Sequence, residues 1–273
     1  MRKSSKNPLG KVTTAPRRPA PEVLFAVPRS DARKALGLGA KLPFHGEDLW
    51  NAWELCWLDP QGRPVVAVAE LRVPATSPNL IESKSLKLYL NSLAWTRYPS
   101  ASAVRELIAR DLENCAGFPV AVRLQTDSDA ASYAVSALPG ICIDNEPAKF
   151  EFASVDAQLL RSDARTEISE SLHSHLLRSL CPVTGQPDTG SILVSYRGPK
   201  IHRGALLQYL VSFREHQAFH EACIEQVFVD VKSRCAPSQL TVYARYNRRG
   251  GLDINPFRSD FEKQAPNTRL WRQ

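Results

Sequence analysis

Alternating apolar and polar positions predict strands in both halves of the chain. Trp53 to Trp57 and Val65 to Val73 flank Asp59-Pro60-Gln61-Gly62, a sequence typical of a hairpin turn. Further strands are predicted at 120–124, 192–196 and 240–246, with a turn at Arg197-Gly198-Pro199.

Helical periodicity follows the strands in each half. Helices are predicted at Leu86 to Leu93 and from near Ser102, where the apolar stripe continues to Leu112, and again at 205–213 and 219–234. Residues 141–180 are ambiguous: 149–155 resembles a strand, and 167–180 fits either a helix or a bent strand. Strands followed by two helices and a further strand predict an α+β fold, with helices on one face of an antiparallel sheet.

The two halves resemble each other at a fixed offset of 120 residues. Leu86 aligns with Leu206, Tyr89 with Tyr209, Ser92 with Ser212, Cys115 with Cys235 and Val122 with Val242. A gapless alignment of this kind indicates duplicated modules. We therefore expect a leader at 1–20, an N-terminal module at 21–140 and a C-terminal module at 141–273.

Charge is concentrated at the N-terminus. The formal net charge is +7, and the first 18 residues hold six cations and no acid, which leaves 29 basic against 28 acidic residues in the rest. A near-neutral body argues against direct nucleic-acid binding, which usually needs a larger basic excess. No apolar run approaches the roughly 18 residues of a membrane span, so we expect no membrane insertion.

Six cysteines are scattered without a CxxC pair, and the sequence shows no secretory signal. We expect the cysteines to be free thiols and the protein to be cytoplasmic. The six cysteines are Cys56, Cys115, Cys142, Cys181, Cys223 and Cys235. Cys115 and Cys235 end helical stripes and are expected in the core.

Four segments concentrate reactive side chains. They are Glu82-Ser83-Lys84-Ser85-Leu86-Lys87-Leu88-Tyr89, Cys181-Pro182-Val183-Thr184-Gly185-Gln186-Pro187-Asp188, Phe219-His220-Glu221 and Arg245 to Asp253. Pro182, Gly185 and Pro187 favour a loop, and such a loop can return the Asp188 carboxylate to the Cys181 sulfur. Because only a thiolate attacks, a nearby carboxylate that removes the thiol proton would make Cys181 a nucleophile.

Together these segments resemble the nitrile reductases of queuosine biosynthesis, the NADPH-dependent 7-cyano-7-deazaguanine reductases (QueF family). Residues 82–89 match the family signature, 181–188 match its catalytic loop, and the resemblance extends from about Val27 to the C-terminus. The signature lies in one module and Cys181 in the other, an arrangement that is similar to the long form of the family. That form implies tandem tunnelling-fold (T-fold) modules and, because open sheet edges remain, a homodimer.

The resemblance implies that Cys181 adds to the nitrile carbon of 7-cyano-7-deazaguanine and forms a covalent thioimide. Asp188 would move the thiol proton, and two successive hydrides from NADPH would give the amine. His220 is the candidate proton donor to the imine nitrogen, because an unperturbed imidazole titrates near neutral pH. Substrate binding is implied for Ile81, Glu82, Ser83, His220 and Glu221.

Cofactor binding is expected to rest on cationic side chains and glycine backbone, because no GxGxxG follows a strand. The expected NADPH contacts are Ser83, Lys84, Arg249 and Gly250, with Lys87, Arg248 and Arg258 as further candidates for the phosphates. The alternative for Arg249 and Arg258 is a solvated strand end. Which cation meets which phosphate stays open.

Two rival functions compete with this interpretation of the sequence. A zinc-dependent enzyme similar to GTP cyclohydrolase needs a Cys/His ligand set, and His173-Ser174-His175 shows no third ligand at metal spacing, so no metal is expected. A non-catalytic RNA- or tRNA-binding protein would use the leader and residues 245–258, but it leaves the Cys181 loop unexplained.

Overall fold

A computed structural model of the protein describes residues 15–126, 129, 134–150 and 154–273. These residues form two compact units. The first unit contains the described residues up to Asp31, with Asp48–Ala134 and Arg248–Asp253. The second unit contains Ala32–Glu47, Val135–Asn247 and Ile254–Gln273.

The described elements mix helices with mainly antiparallel strands, so the predicted α+β class is confirmed. The strands are β1 (Ala26–Pro28), β2 (His45–Leu58), β3 (Pro64–Pro74), β4 (Asn79–Ile81), β5 (Ala121–Gln125), β6 (Val135–Ser136), β7 (Ile141–Cys142), β8 (Ser162–Leu180), β9 (Pro187–Ile201), β10 (Gln239–Tyr246), β11 (Leu252–Ser259) and β12 (Arg269–Leu270). The α-helices are α1 (Ser30–Ala35), α2 (Ser83–Ser92), α3 (Ala101–Ala116), α4 (Arg203–Val211) and α5 (His220–Cys235).

In the first unit, neighbouring strands follow the order β5, β3, β2, and β1 pairs separately with β4. The predicted hairpin between β2 and β3 is confirmed. Asp59 accepts hydrogen bonds from the backbone N–H groups of Gln61 and Arg63, and Gly62 has a φ of 91°. A carboxylate that caps a turn in this way fixes the register of both strands.

In the second unit, neighbouring strands follow the order β11, β10, β9, β8, β7. The pairings of β8, β9, β10 and β11 with one another are antiparallel, whereas β7 pairs with β8 in parallel. β12 also pairs in parallel, with β6. The segment 167–180, ambiguous in the sequence, lies within the long strand β8, with a register shift between Ser174 and Leu177.

One predicted turn is wrong. Arg197, Gly198 and Pro199 continue strand β9, and Gly198 pairs with Ile168 at a φ of 151°. Glycine and proline usually end a strand, but they are tolerated beside an irregularity, and the β8–β9 register shifts between Asp163 and Glu167. The strand predicted at 149–155 falls partly on residues 151–153, outside the described residues, and residues 149, 150, 154 and 155 are not in a strand.

Equivalent hydrogen bonds recur in the two units at the positions that the offset aligns. In α2, Ser92 Oγ donates to the Tyr89 carbonyl at 2.6 Å, and at the end of α4 Ser212 Oγ donates to the Tyr209 carbonyl at 2.6 Å. Tyr89 also donates to Asp111, and Tyr209 to Asp230, although the offset between these two acids is 119 rather than 120 residues. The two tyrosines are fully buried, so each needs a partner for its hydroxyl group.

The core of each unit consists of apolar side chains from its helices and strands. Leu71, Leu86 and Ile108 are fully buried in the first unit, and Leu206, Phe228 and Val242 in the second. Each such side chain contributes about 1.5–3 kcal/mol on burial. Cys235 is buried as expected, whereas Cys115 is only partly buried.

The predicted leader lies mostly outside the described residues. At its C-terminal end, the Arg17 guanidinium lies 5.3 Å from the Trp95 ring, and the buried Ala20 donates its N–H to Ser92 Oγ. The predicted module boundaries stay predictions. No α-helix among the described residues is both long and apolar enough to cross a membrane.

Candidate active site

The Cys181 loop connects β8 to β9 in the second unit. Cys181 N–H donates to the Gln186 carbonyl at 2.8 Å, and Gly185 N–H donates to the Cys181 carbonyl at 2.9 Å. Gly185 has a φ of 68°, a conformation that favours glycine. The loop is thus a tight turn closed on Cys181, whose side chain is only 8% exposed.

Asp188 and His220 lie side by side in the same unit. Asp188 is the second residue of β9, and its Oδ2 lies 3.2 Å from Nε2 of His220, the first residue of α5. The contact has the distance of an ion pair but not the angle of a hydrogen bond, and both ring nitrogens are buried without a hydrogen-bond partner among the described residues. An imidazole in this state is available to exchange a proton with a substrate and with Asp188.

Tyr246, which the sequence analysis did not single out, orients His220. The two rings stack at 3.8 Å between centroids with an interplanar angle of 15°. Burial raises the pKa of Tyr246 well above its usual value, so the phenol is neutral at physiological pH. The last residue of β10 therefore supplies an uncharged platform that holds the imidazole in place.

Glu221 follows His220 in the first turn of α5 and is 3% exposed. The residue before the helix, Phe219, provides no side-chain cap. The positive end of the helix dipole favours a carboxylate at this position. A buried acid at a helix start is suited to accept hydrogen bonds from the N–H groups of a bound heterocycle.

In the first unit, Glu82 is the N-cap residue of α2. Its two carboxylate oxygens accept hydrogen bonds from the backbone N–H groups of Lys84 and Ser85, both at 2.8 Å. Glutamate is not among the residues that favour this capping position. Desolvation raises the pKa of Glu82, and the hydrogen bonds from Lys84 and Ser85 oppose that rise.

The other residues expected to bind substrate or cofactor near Glu82 are its neighbours in the sequence. Ile81 is the buried end of β4, and Ser83 Oγ donates to Glu82 at 3.4 Å. Lys84 is partly exposed. The N-terminus of α2 therefore places a buried carboxylate beside a cation that reaches solvent.

Gly250 forms a tight turn with Gly251 in the first unit. Their φ angles are 57° and 82°, and Arg249 and Leu252 exchange both backbone hydrogen bonds across the turn. A Cβ placed on Gly250 would lie 2.9 Å from Lys87 Nζ. The glycine thus leaves room for the Lys87 ammonium group, which lies 3.8 Å from a Glu54 carboxylate oxygen, and the side chain of the preceding residue, Arg249, is exposed.

The neighbouring residue, Arg248, contacts an aromatic ring. Its guanidinium lies 4.3 Å from the centroid of the Trp53 ring. The sequence analysis treated Trp53 only as a strand residue. The contact could not be found from spacing, because the two residues lie far apart in the sequence.

Arg258 differs from the sequence interpretation. It is completely buried, and its guanidinium donates to Glu225 at 2.8 Å and to the Glu47 carbonyl at 3.2 Å. It is neither a solvated strand end nor a phosphate ligand, because its charge is held inside the second unit by an internal ion pair.

The reason given for expecting no metal is also wrong for the described residues. Cys142, His173 and His175 bring three ligand atoms within 4.8 Å of one another. The sequence analysis missed Cys142 because it lies far from the two histidines in the chain. The parallel pairing of β7 with β8 brings it next to His173.

Comparison with known proteins places these residues in a family. A family model described as "Nitrile reductase, 7-cyano-7-deazaguanine-reductase N-term" matches residues 16–124, and a second, "QueF-like protein", matches residues 187–265. Relatives named NADPH-dependent 7-cyano-7-deazaguanine reductase in Bordetella parapertussis and Bordetella pertussis are each 50% identical over 262 residues, which cover 96% of this chain and 96% of each relative.

The two matched regions contain Glu82 with its neighbours and Asp188 with His220, and the full-length similarity also spans the Cys181 loop. The resemblance drawn from the separate motifs is therefore confirmed. This chain belongs to the family of NADPH-dependent 7-cyano-7-deazaguanine reductases.

Proposed function

We propose that this chain reduces the nitrile of 7-cyano-7-deazaguanine to 7-aminomethyl-7-deazaguanine with NADPH, through a covalent thioimide on Cys181. The activity follows from the family, whose curated members carry this name. The observation that carries the mechanism is the geometry of the second unit. There, the Cys181 loop leads directly into Asp188, and Asp188 lies 3.2 Å from His220.

The first step forms one bond to carbon and moves one proton. Asp188 accepts the Cys181 proton, the sulfur bonds to the nitrile carbon, and the proton is delivered to the nitrile nitrogen, which gives the thioimide. No electrons are transferred in this step. The buried position of Cys181 limits the access of water, which would otherwise hydrolyse the adduct.

Reduction requires two hydrides and two further protons for each nitrile. When bound, NADPH supplies the hydrides in two successive binding events. After the first hydride reaches carbon, the C–S bond breaks, and Cys181 leaves as a thiolate from an imine. After the second hydride reaches carbon, His220, which lies 3.2 Å from Asp188, protonates the nitrogen to complete the amine, and one proton from solvent restores the Cys181 thiol.

Glu82 and Glu221 are proposed to bind the deazaguanine ring, together with Ile81, Ser83 and His220. A carboxylate accepts hydrogen bonds from ring N–H and exocyclic amino groups, which are the donors that a guanine-like edge presents. Glu82 and Glu221 are both nearly fully buried. Binding by a buried acid disfavours an analogue that lacks the donor, because a carboxylate lone pair that the bound ring shields from water would then gain no hydrogen bond from the analogue.

The turn at Gly250 fits a phosphate of NADPH. A side chain on Gly250 would fill the space beside Lys87 Nζ, and the adjoining Arg249 is exposed. Lys84 and Ser83 complete the proposed cofactor contacts. The backbone N–H groups of Lys84 and Ser85 already donate to Glu82, so the start of α2 contributes side chains rather than a free helix terminus.

We propose further that the modules at 21–140 and 141–273 are tandem T-folds. The repeated hydrogen bonds of Ser92 with Tyr89 and of Ser212 with Tyr209 support a duplication. A homodimer, a cytoplasmic location, a role in queuosine biosynthesis and the absence of direct nucleic-acid binding belong to the same proposal.

The decisive experiment measures the intact mass of the protein after incubation with the nitrile in the absence of NADPH. We expect a gain of one substrate mass per chain and a new long-wavelength absorbance band. Addition of NADPH should remove both signals and consume two equivalents for each nitrile. A protein that turns over the nitrile without either signal would contradict the covalent mechanism.

Substitution Glu82→Gln is expected to raise the KM for the nitrile by about 10- to 100-fold, because a charged acceptor is lost from a buried site. The wild-type KM should fall as the pH rises through the raised pKa of Glu82, since only the ionised carboxyl group accepts two hydrogen bonds from the substrate. The variant should lose this pH dependence.

The matched control for Glu82 is Glu106→Gln, which changes an exposed glutamate of α3 in the same unit. Its KM and pH profile should equal those of the wild type. If Glu82→Gln retains the wild-type KM at every pH, Glu82 serves only as the cap of α2.

Substitution Arg249→Ala is expected to raise the KM for NADPH by about 10- to 100-fold, because a charge-assisted phosphate contact is lost. The KM for the nitrile should change little. The dependence of the NADPH KM on salt should also weaken, which steady-state kinetics at several salt concentrations would measure. Arg63→Ala, on the exposed β2–β3 turn, is the control, and an equal effect in both variants would refute a specific role.

A further inference from the structure

Three side chains with metal-ligand chemistry lie together on adjacent strands of the second unit. Cys142 ends β7, and His173 and His175 lie on β8, where His173 is the register partner of Cys142. One ligand atom from each residue lies within 4.8 Å of the other two. The residues take no part in the proposed nitrile chemistry.

Both imidazoles are held by their Nδ1 atoms. His173 Nδ1 lies 3.0 Å from the Pro139 carbonyl, and His175 Nδ1 lies 2.7 Å from Ser191 Oγ. A carbonyl oxygen only accepts, so Nδ1 of His173 donates and its Nε2 carries a free lone pair. Metal-binding histidines typically use one ring nitrogen for such a contact and the other for the metal.

The side chain of His173 is enclosed, whereas that of Cys142 is exposed. His173 is 8% exposed, and Cys142 is an exposed free thiol. Tetrahedral zinc needs donor atoms about 3.3–3.6 Å apart, as follows from metal–ligand lengths of about 2.0–2.3 Å. Atoms that lie up to 4.8 Å apart must therefore approach one another on metal binding, and the exposed Cys142 is the least enclosed of the three residues.

The charges around the cluster are balanced. Asp144 accepts hydrogen bonds from Ser174 Oγ and from the His175 N–H, and Arg272 donates to the His175 carbonyl. Among the described residues, the charged side chains bonded to this strand segment are thus one acid and one base, whose fields on a dication oppose each other. The Asp144 bonds also fix the backbone between the two histidines.

We propose that Cys142, His173 and His175 bind a divalent ion of the zinc class, with water as the fourth ligand, and that this ion ties β7 to β8. One thiolate and two imidazoles suit Zn²⁺ rather than Mg²⁺ or Ca²⁺, which prefer oxygen ligands. β7 is only two residues long, and a metal cross-link would secure this short strand to its neighbour.

Cobalt(II) provides a direct probe, because a Co²⁺–thiolate bond gives an intense near-ultraviolet charge-transfer band. The full chain, stripped of metal with a chelator and kept reduced, is titrated with Co²⁺ at neutral pH. We expect the band to saturate at one equivalent in the wild type and in Cys181→Ser. It should be absent in Cys142→Ser, which alters an exposed side chain and leaves the fold intact.

Thermal unfolding gives a second readout. Zn²⁺ should raise the Tm of the wild type and of Cys181→Ser, but not of Cys142→Ser or His175→Gln, and the Tm values without metal should agree for the wild type and Cys142→Ser. A cobalt band that disappears with Cys181, the absence of any band, or an equal Tm rise in all variants would overturn the proposal. Metal-free Cys142→Ser should retain nitrile reduction. A failure of the metal proposal can therefore be distinguished from a failure of the proposed enzymatic mechanism.

Discussion

Substitution Cys181→Ser is expected to abolish nitrile-dependent NADPH oxidation, with a loss on the order of 10³-fold or more. A serine hydroxyl has nearly the same shape as the thiol but remains protonated at neutral pH, so no nucleophile attacks the nitrile carbon. Intact-mass analysis should show no adduct. The Tm should stay near that of the wild type, because the loop is held by the backbone hydrogen bonds of Cys181 rather than by its sulfur.

The control for this variant is Cys56→Ser, which changes a partly buried thiol of the first unit. It should form the adduct and turn over at the wild-type rate. Turnover by Cys181→Ser within tenfold of the wild type would remove the nucleophile from the mechanism. An adduct that persists in Cys181→Ser would assign the bond to another cysteine.

The cysteines whose thiol pKa is raised are poor substitutes for Cys181. Burial raises the pKa of Cys223 to about 12 and that of Cys115 and Cys235 to about 11. At neutral pH the thiolate fraction of such groups is roughly 10⁻⁴ or less. The thioimide is therefore not expected to form on them.

The local parts of the fold could be predicted from the sequence. The β2–β3 hairpin and helix α3 follow from short-range signals, namely the turn at Asp59 and the apolar stripe that continues to Leu112, although α3 begins at Ala101 rather than at Ser102. Strand β8 could not be assigned, because its register shifts between Ser174 and Leu177 and the alternation of side chains changes face there. The path of β9 through Gly198 and Pro199 also depends on its pairing with β8, which local propensity does not encode.

The candidate site likewise has features that the sequence predicts and features that only the folded structure shows. Cys181, Asp188 and His220 belong to motifs that resemble those of the family, so their roles could be proposed before any geometry. The stacking of Tyr246 on His220 and the burial of Arg258 are tertiary facts, since a single sequence does not reveal which charges and rings lie inside. The same limit applies to Cys142, which reaches His173 only through strand pairing.

Substitution Asp188→Asn is expected to slow thioimide formation by about 10²- to 10⁴-fold, the usual contribution of a positioned general base. The amide keeps the size of the carboxylate but accepts no proton from Cys181. Stopped-flow absorbance at the adduct band, without NADPH, measures this step directly. Asp230→Asn is the control, because it changes another carboxylate of the second unit that accepts a hydrogen bond from Tyr209.

Comparison with His220→Ala separates the proton acceptor from the proton donor. His220 contacts Asp188 at 3.2 Å but belongs to the reduction steps of the proposed mechanism, so its loss should slow NADPH oxidation more than adduct formation. Asp188→Asn should show the opposite order, with adduct formation the more strongly affected step. An adduct rate equal to that of the wild type in Asp188→Asn would show that another group takes the Cys181 proton. Equal losses in both steps for His220→Ala would instead make His220 a residue that positions the substrate, with Tyr246 holding its ring in that orientation.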